Sequence, residues 1–202
     1  ALIVIYSRHY IVTVLENIKL GKEAITDGLT GLYLYRYLEL QIKREMEKAA
    51  EEDKPLSLLI YDIDHFKEIN DKYGHEFGNT VLRAISKVIK ESVRSQDTVA
   101  RYGGDEFCVL MPNTISREAK RTAERALDNL KKKTSITSEI INITMSVGVV
   151  SAQDCAPIIP ADIVNAADAA LYRSKNAGRD RITIFDKAID KPEKPAYIVD
   201  SQ

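Results

Sequence analysis

The stretch Thr98-Val-Ala-Arg-Tyr-Gly-Gly-Asp-Glu-Phe-Cys-Val-Leu-Met111 decides how the rest of the chain is read. Thr98–Arg101 and Phe107–Met111 are β-prone runs, and Tyr102-Gly-Gly-Asp-Glu106 between them is short enough to close a hairpin. Its two glycines, Gly103 and Gly104, let the backbone approach a ligand closely. Upstream, Leu56-Ser-Leu-Leu-Ile-Tyr-Asp62 is an apolar run ending in carboxylates, the pattern of a buried strand. His65–Lys72 then reads as a short helix and Gly74-His-Glu-Phe-Gly78 as a loop. Asn79–Val93, apolar at Val81, Leu82, Ile85, Val88 and Ile89, reads as an amphipathic helix. Downstream the pattern predicts a helix over Ser116–Lys133, a strand over Ile141–Val150, a helix over Pro160–Asn176 and a last strand over Arg181–Phe185.

Towards the start, Ile11, Val14, Leu15 and Ile18 recur at helical spacing, predicting an amphipathic helix over residues 9–26. A second helix runs over Tyr35–Glu52 and stops at Asp53-Lys-Pro55, with Asp27-Gly-Leu-Thr-Gly-Leu32 as the break between the two. Beyond Asp186, proline and charge without periodicity read as a tail. The expected organisation is a linker helix within residues 1–26, a main domain over 27–186 and a tail over 187–202. Strands mixed with helices and one hairpin predict an α/β (α+β) fold: a mixed central sheet flanked by helices.

Composition bounds the function. The 202 residues carry 29 Lys+Arg against 30 Asp+Glu, a formal charge of −1, which argues against a broadly basic nucleic-acid binder. Cys108 and Cys155 are too few for a disulfide framework and lack zinc-ligand spacing, so a reducing, cytoplasmic compartment is expected. Ala1–Leu15 is apolar but interrupted by Arg8 and His9, falls short of the roughly 20 residues that span a bilayer, and lacks a signal-peptide pattern. The start at Ala fits either a fragment or removal of the initiator Met.

Two features carry chemistry: Asp62-Ile-Asp64 at a strand end, and Gly103-Gly-Asp-Glu106 at the hairpin tip. Carboxylates delivered by neighbouring strands can hold Mg²⁺ together with substrate phosphates. Taken alone, the first suits a helix cap equally well, and the second a tight turn.

With its surroundings, Arg101-Tyr-Gly-Gly-Asp-Glu-Phe107 resembles the signature of the GGDEF family, the diguanylate cyclase domains. Four further blocks match in order: Asp27-Gly-Leu-Thr-Gly-Leu32, Asp62-Ile-Asp-His-Phe-Lys-Glu-Ile-Asn-Asp71, Gly74-His-Glu-Phe-Gly78, and Ala166-Ala-Asp-Ala-Ala-Leu-Tyr-Arg-Ser-Lys-Asn-Ala-Gly-Arg179. The resemblance implies a palm-like sheet related to nucleotidyl cyclases and polymerases, and a bacterial second-messenger enzyme. Two domains in a homodimer would each bind one GTP and join them into cyclic di-GMP, releasing pyrophosphate with the help of two Mg²⁺ or Mn²⁺ ions.

Residue by residue, the resemblance assigns the metal to Asp62, Asp105 and the carbonyl of Ile63, with Asp105 also a candidate base and Glu106 a further site residue. Phe66 and Lys67 match a phosphate-cradling turn. Lys175 and Arg179, read as i and i+4 on one helix face, match triphosphate contacts. Asn70 matches a guanine contact, and His75 is a structural part of its loop. Arg94-Ser-Gln-Asp97 and Arg125 match an inhibitory site for the product.

Two departures stand out. Asn79 follows Gly-His-x-x-Gly where the family usually has Asp; it retains one acceptor for guanine but adds donors, so adenine becomes admissible. The rival readings are therefore a hybrid synthase making cyclic GMP–AMP from ATP and GTP, and a non-catalytic cyclic-dinucleotide receptor. Leu34-Tyr35 stands where Asn-Arg is common, which touches helix capping. An upstream sensor or receiver module is the implied partner.

Overall fold

The computed structural model describes residues 25–132, 142–157 and 159–190. The expected helix over 9–26, save its last two residues, lies outside them, as do residues 191–202 of the expected tail. Six strands form one sheet in the order β1-β3-β4-β2-β5-β6. They are β1 (Tyr33–Leu34), β2 (Leu56–Ile63), β3 (Thr98–Arg101), β4 (Glu106–Pro112), β5 (Met145–Ser151) and β6 (Ile182–Ile184). The four central strands run antiparallel to one another, while β1 joins β3 and β6 joins β5 in parallel. The predicted mixed sheet with one hairpin is therefore present.

All eight positions of β2 are buried because helices cover both faces. Leu59, Tyr61 and Ile63 face a core built with α3 (His75–Ser92) and α4 (Ser116–Lys132). Leu56, Leu58 and Ile60 face a second core built with α1 (Tyr35–Glu52) and α6 (Pro160–Asn176). The short helices α2 (Phe66–Tyr73) and α5 (Ala152–Cys155) complete the set of described elements. Cys108 is buried in the second core as a packing residue.

Several expectations change. Gly74-His-Glu-Phe-Gly78 is not a loop: Gly74, at φ 85°, links α2 to α3, and residues from His75 on are already helical. Gly78 does not break that helix, because its missing Cβ makes room for the Asn70 amide and the Phe66 ring of α2. Of the strand expected over Ile141–Val150, Ile141 lies outside the described residues and β5 begins at Met145; just before it the Thr144 carbonyl accepts from the N–H of Asp64 at 3.0 Å and its hydroxyl donates to the Asp64 carboxylate at 2.7 Å. Residues 187–190 of the expected tail are among those described. Asp190 is buried, accepts from the N–H of Asp186 at 2.7 Å and pairs with Arg173 of α6 at 3.2 Å. As the Leu34-Tyr35 departure implied, α1 starts at Leu34 without a side-chain cap. Tyr33 and Tyr37 stack at 4.3 Å there, and Tyr35 meets Tyr102 edge-on at 4.6 Å.

Candidate active site

Strand register builds the site. Asp62, one residue from the end of β2, stands directly opposite Glu106, the first residue of β4, and both point to the face covered by α6. The turn between β3 and β4 brings Asp105 alongside, with the N–H of Ile63 donating to the Asp105 carbonyl at 3.3 Å. A Cβ on Gly103 would stand 2.9 Å from the Glu106 carboxylate, so that glycine leaves Glu106 its place.

Arg101 fixes this tip. Its guanidinium donates to the carbonyls of Gly103 at 3.2 Å and Gly104 at 2.6 Å, and its Nη1 reaches both Asp27 oxygens at 3.2 Å. Asp27 also accepts from the N–H and hydroxyl of Thr30, at 2.9 and 2.7 Å. Burial works against its charge, yet the Thr30 bonds and the Arg101 cation hold its carboxyl below the ordinary value.

The acidic cluster itself is electrostatically crowded. Burial, and then the neighbouring Asp62 charge, push Glu106 up to about 7; Lys175 opposes this, while Asp168 and Asp105 add to it. Asp62 is also raised, by burial first, against the pull of Lys175, whose Nζ lies 2.6 Å from its Oδ2. Asp168 of α6 is raised by burial, with Lys175 acting the other way. Among the described residues, no three His, Cys, Asp or Glu side chains converge as a ready metal-ligand group. The donors that do face one another are hard oxygens only, carrying more negative charge than Lys175 offsets. That chemistry suits a hard divalent cation such as Mg²⁺ or Mn²⁺.

The other sequence-predicted residues fall into place unevenly. Phe66 and Lys67 open α2, directly after His65 in the left-handed conformation at φ 58°. Asn70 packs on Gly78, while His75 is exposed at the start of α3. The Asn79 amide donates to Glu76 Oε1 at 3.5 Å. Lys175 and Arg179 do not share a helix face: α6 ends at Asn176, and Arg179 stands exposed in the following turn at φ 61°. On the opposite face of the sheet, Arg94 and Asp97 close a turn, the Arg94 N–H donating to Asp97 at 2.8 Å. Burial raises the Asp97 carboxyl, with Arg94 and then Arg125 opposing. Arg125 is anchored on the Ser92 carbonyl at 3.2 Å. Sequence reading gives no role to Asp168, and none to Asp64 beyond its place in the Asp62-Ile-Asp64 pair. Asp168 stands seven residues before Lys175, two helical turns along one face, which is the signal that marks it.

The family model described as "Diguanylate cyclase, GGDEF domain" matches residues 24–181, and the chain belongs to that family. Diguanylate cyclase A of Treponema denticola is 38% identical over 181 residues, 88% of this chain and 48% of that protein. The response regulator PleD of Caulobacter vibrioides is 38% identical over 162 residues, 79% of this chain and 36% of that protein. The chain thus spans half or less of the length of these relatives. Among solved structures, the coiled coil and GGDEF domain of DgcB from Caulobacter crescentus, in complex with c-di-GMP, has a TM-score of 0.79. It is 30% identical and covers 88% of this chain and 95% of that one. Diguanylate cyclase SiaD of Pseudomonas aeruginosa, in complex with its activator SiaC, has a TM-score of 0.75. It is 32% identical over 89% of this chain and 69% of that one. The predicted fold class and family are borne out, and no described helix is long and apolar enough to cross a membrane.

Proposed function

We propose that this chain is the catalytic domain of a diguanylate cyclase, joining two GTP into cyclic di-GMP across a homodimer. The observation that carries the reading is the convergence of Asp62, Asp105, Glu106 and Lys175 at one sheet end inside a GGDEF signature. Each 3′-hydroxyl attacks the α-phosphorus of the partner's GTP; the bond to the bridging oxygen breaks and pyrophosphate leaves. One domain holds one GTP, so a ring of two phosphodiesters requires two domains face to face.

Asp62, Asp105 and the Ile63 carbonyl would hold Mg²⁺ or Mn²⁺, two ions per site, which would supply charge neutralisation at the phosphates. This chain's side chains do the rest. Asp105, on a tip clamped by Arg101, accepts the 3′-hydroxyl proton. The α2 N-terminus at Phe66 and Lys67 receives the phosphates, and Lys175 exchanges its Asp62 partner for the triphosphate, joined by Arg179. Asn70 reads the guanine edge and Asn79 offers its carbonyl oxygen, with its N–H₂ engaged by Glu76. Arg94, Asp97 and Arg125 bind the product and give feedback inhibition.

Asn79 favours a second reading, a hybrid synthase of cyclic GMP–AMP, because an amide admits the donor pattern of adenine as well. The main proposal is tested by pyrophosphate release from GTP with Mg²⁺ at several protein concentrations. Turnover per chain should rise with concentration as dimers form and vanish in Asp62→Asn and Asp105→Asn. Specific activity independent of concentration, or survival in both variants, would reject it.

A further inference from the structure

Asp64 lies beside the acidic cluster, where its charge adds to the upward push on Asp62, but its own hydrogen bonds go to β5 and the turn after α6, and it is only 5% exposed. Oδ1 accepts from the Ser146 hydroxyl at 2.7 Å; Oδ2 accepts from the Thr144 hydroxyl at 2.7 Å and from the N–H of Asp180 at 3.1 Å. One carboxylate thus ties the end of β2 to the entry of β5 and to the turn after α6. A buried carboxylate held by three donors is a rigid anchor, because loss of any one bond leaves charge poorly solvated.

The anchored turn is the one that carries Arg179. Gly178, Arg179 and Asp180 are consecutive left-handed residues, at φ 108°, 61° and 44°. Residues other than glycine hold that conformation only when their surroundings enforce it. Five contacts hold it: the Gly178 N–H on the Lys175 carbonyl at 3.3 Å, the Arg179 N–H on the Ser174 carbonyl at 3.1 Å, Arg181 Nε on the Arg179 carbonyl at 3.0 Å, Lys131 on Asp180 at 3.2 Å, and Asp64 on the Asp180 N–H at 3.1 Å. Of these, Asp64 and Ser174 are buried, and Asp64 alone belongs to the same strand end as Asp62.

We infer that Asp64 is a positioning residue for nucleotide binding: it sets the left-handed turn at Gly178–Asp180, and thereby where Arg179 projects relative to the Asp62 cluster. Asp64 touches neither phosphate nor reacting atoms; it acts through the turn. The inference rests on the reading that Arg179 contacts the triphosphate.

The test is a double-mutant cycle on the 202-residue chain, with Kd measured for α,β-methylene-GTP, a GTP analogue that cannot react, and for guanosine. Asp64→Asn presents an amide donor to groups that themselves donate, and should weaken the analogue about tenfold while leaving guanosine nearly unchanged. Arg179→Ala should weaken the analogue by itself, and the double variant should bind no worse than the weaker single variant. Multiplying penalties, or equal loss for guanosine, would overturn the positioning role. Unchanged binding by Arg179→Ala would instead remove the triphosphate reading beneath it. If Asp64→Asn does not fold by circular dichroism, Thr144→Val keeps the carboxylate, removes one donor and should give the same non-additivity with Arg179→Ala at smaller size; additivity there overturns the inference.

Discussion

Gly148→Ala tests how the packing of α6 on β5 positions the site. Gly148 pairs with Ile60 on one side and Thr183 on the other, in the middle of the sheet, and α6 lies directly on it. A Cβ there would stand 2.5 Å from the Leu171 N–H nitrogen and 2.9 Å from the Leu171 Cβ, and would overlap the Ala167 carbonyl. Ordinary contact begins near 3.4 Å, and the obstacles are mostly helix backbone, so α6 must retreat by about 1 Å. Overpacking of this kind costs about 3 kcal/mol, at the upper end of the usual range because backbone cannot swing aside. That corresponds to a fall in Tm of roughly 6–12 °C for a domain of this size. Because α6 carries Asp168 and Lys175 to the cluster, the same retreat should lower kcat by roughly 100-fold. Urea denaturation gives the stability and pyrophosphate release gives the rate. A loss below about 0.5 kcal/mol, or an unchanged kcat in a folded variant, would refute the claim that this contact seats the helix.

Three further predictions concern charge and base. Glu106 holds its proton in the native state up to about 7, against the ordinary 4.5, so without metal stability falls as pH rises through that window. Glu106→Gln should therefore raise stability in EDTA at pH 8 by up to about 3 kcal/mol, the gain vanishing near pH 4 and shrinking when Mg²⁺ is added; thermal unfolding across pH reads this, and equal gains at both pH values would count against it. Asp27 has the opposite sign: its depressed carboxyl contributes stability that is present above the ordinary value of 3.8 and lost as pH falls through its native value. Asp27→Asn should cost about 1 kcal/mol at pH 7, and the cost should shrink as pH falls below 3.8, by denaturant unfolding at each pH. Asn79→Asp should leave GTP turnover within a few-fold while reducing competition by ATP about tenfold, since a carboxylate repels the adenine N1 acceptor; unchanged ATP competition would mean that Asn79 does not face the base.

The two cores were legible because their apolar positions keep strict periods: Leu58 and Ile60 against Leu59 and Tyr61 along a strand, and Leu82, Ile85 and Ile89 along a helix. The hairpin was legible because Gly103 and Gly104 interrupt two β-prone runs. Gly78 misled the reading for the same reason, since glycine in sequence does not distinguish a helix break from close contact between two helices. Arg179 is misplaced by carrying the i, i+4 spacing past the helix end at Asn176, which the sequence does mark; the left-handed turn that follows is tied by Asp64 from more than a hundred residues away. Long-range polar anchors of that kind have no period. The two-residue β1 and four-residue α5 are too short to show one. The inhibitory-site expectation for Arg94, Asp97 and Arg125 comes from the family resemblance, and the fold brings these residues together on the far face.

The central claim, condensation of two GTP into a cyclic dinucleotide, is tested most directly by product mass. The chain is incubated with Mg²⁺ and GTP, ATP or an equal mixture, and the products are identified by mass spectrometry, with Asp105→Ala alongside. The account predicts cyclic di-GMP as the main product in GTP and in the mixture, and none from Asp105→Ala. Predominant cyclic GMP–AMP in the mixture would contradict the base assignment, and bound cyclic dinucleotide without any turnover would contradict the assignment as an enzyme.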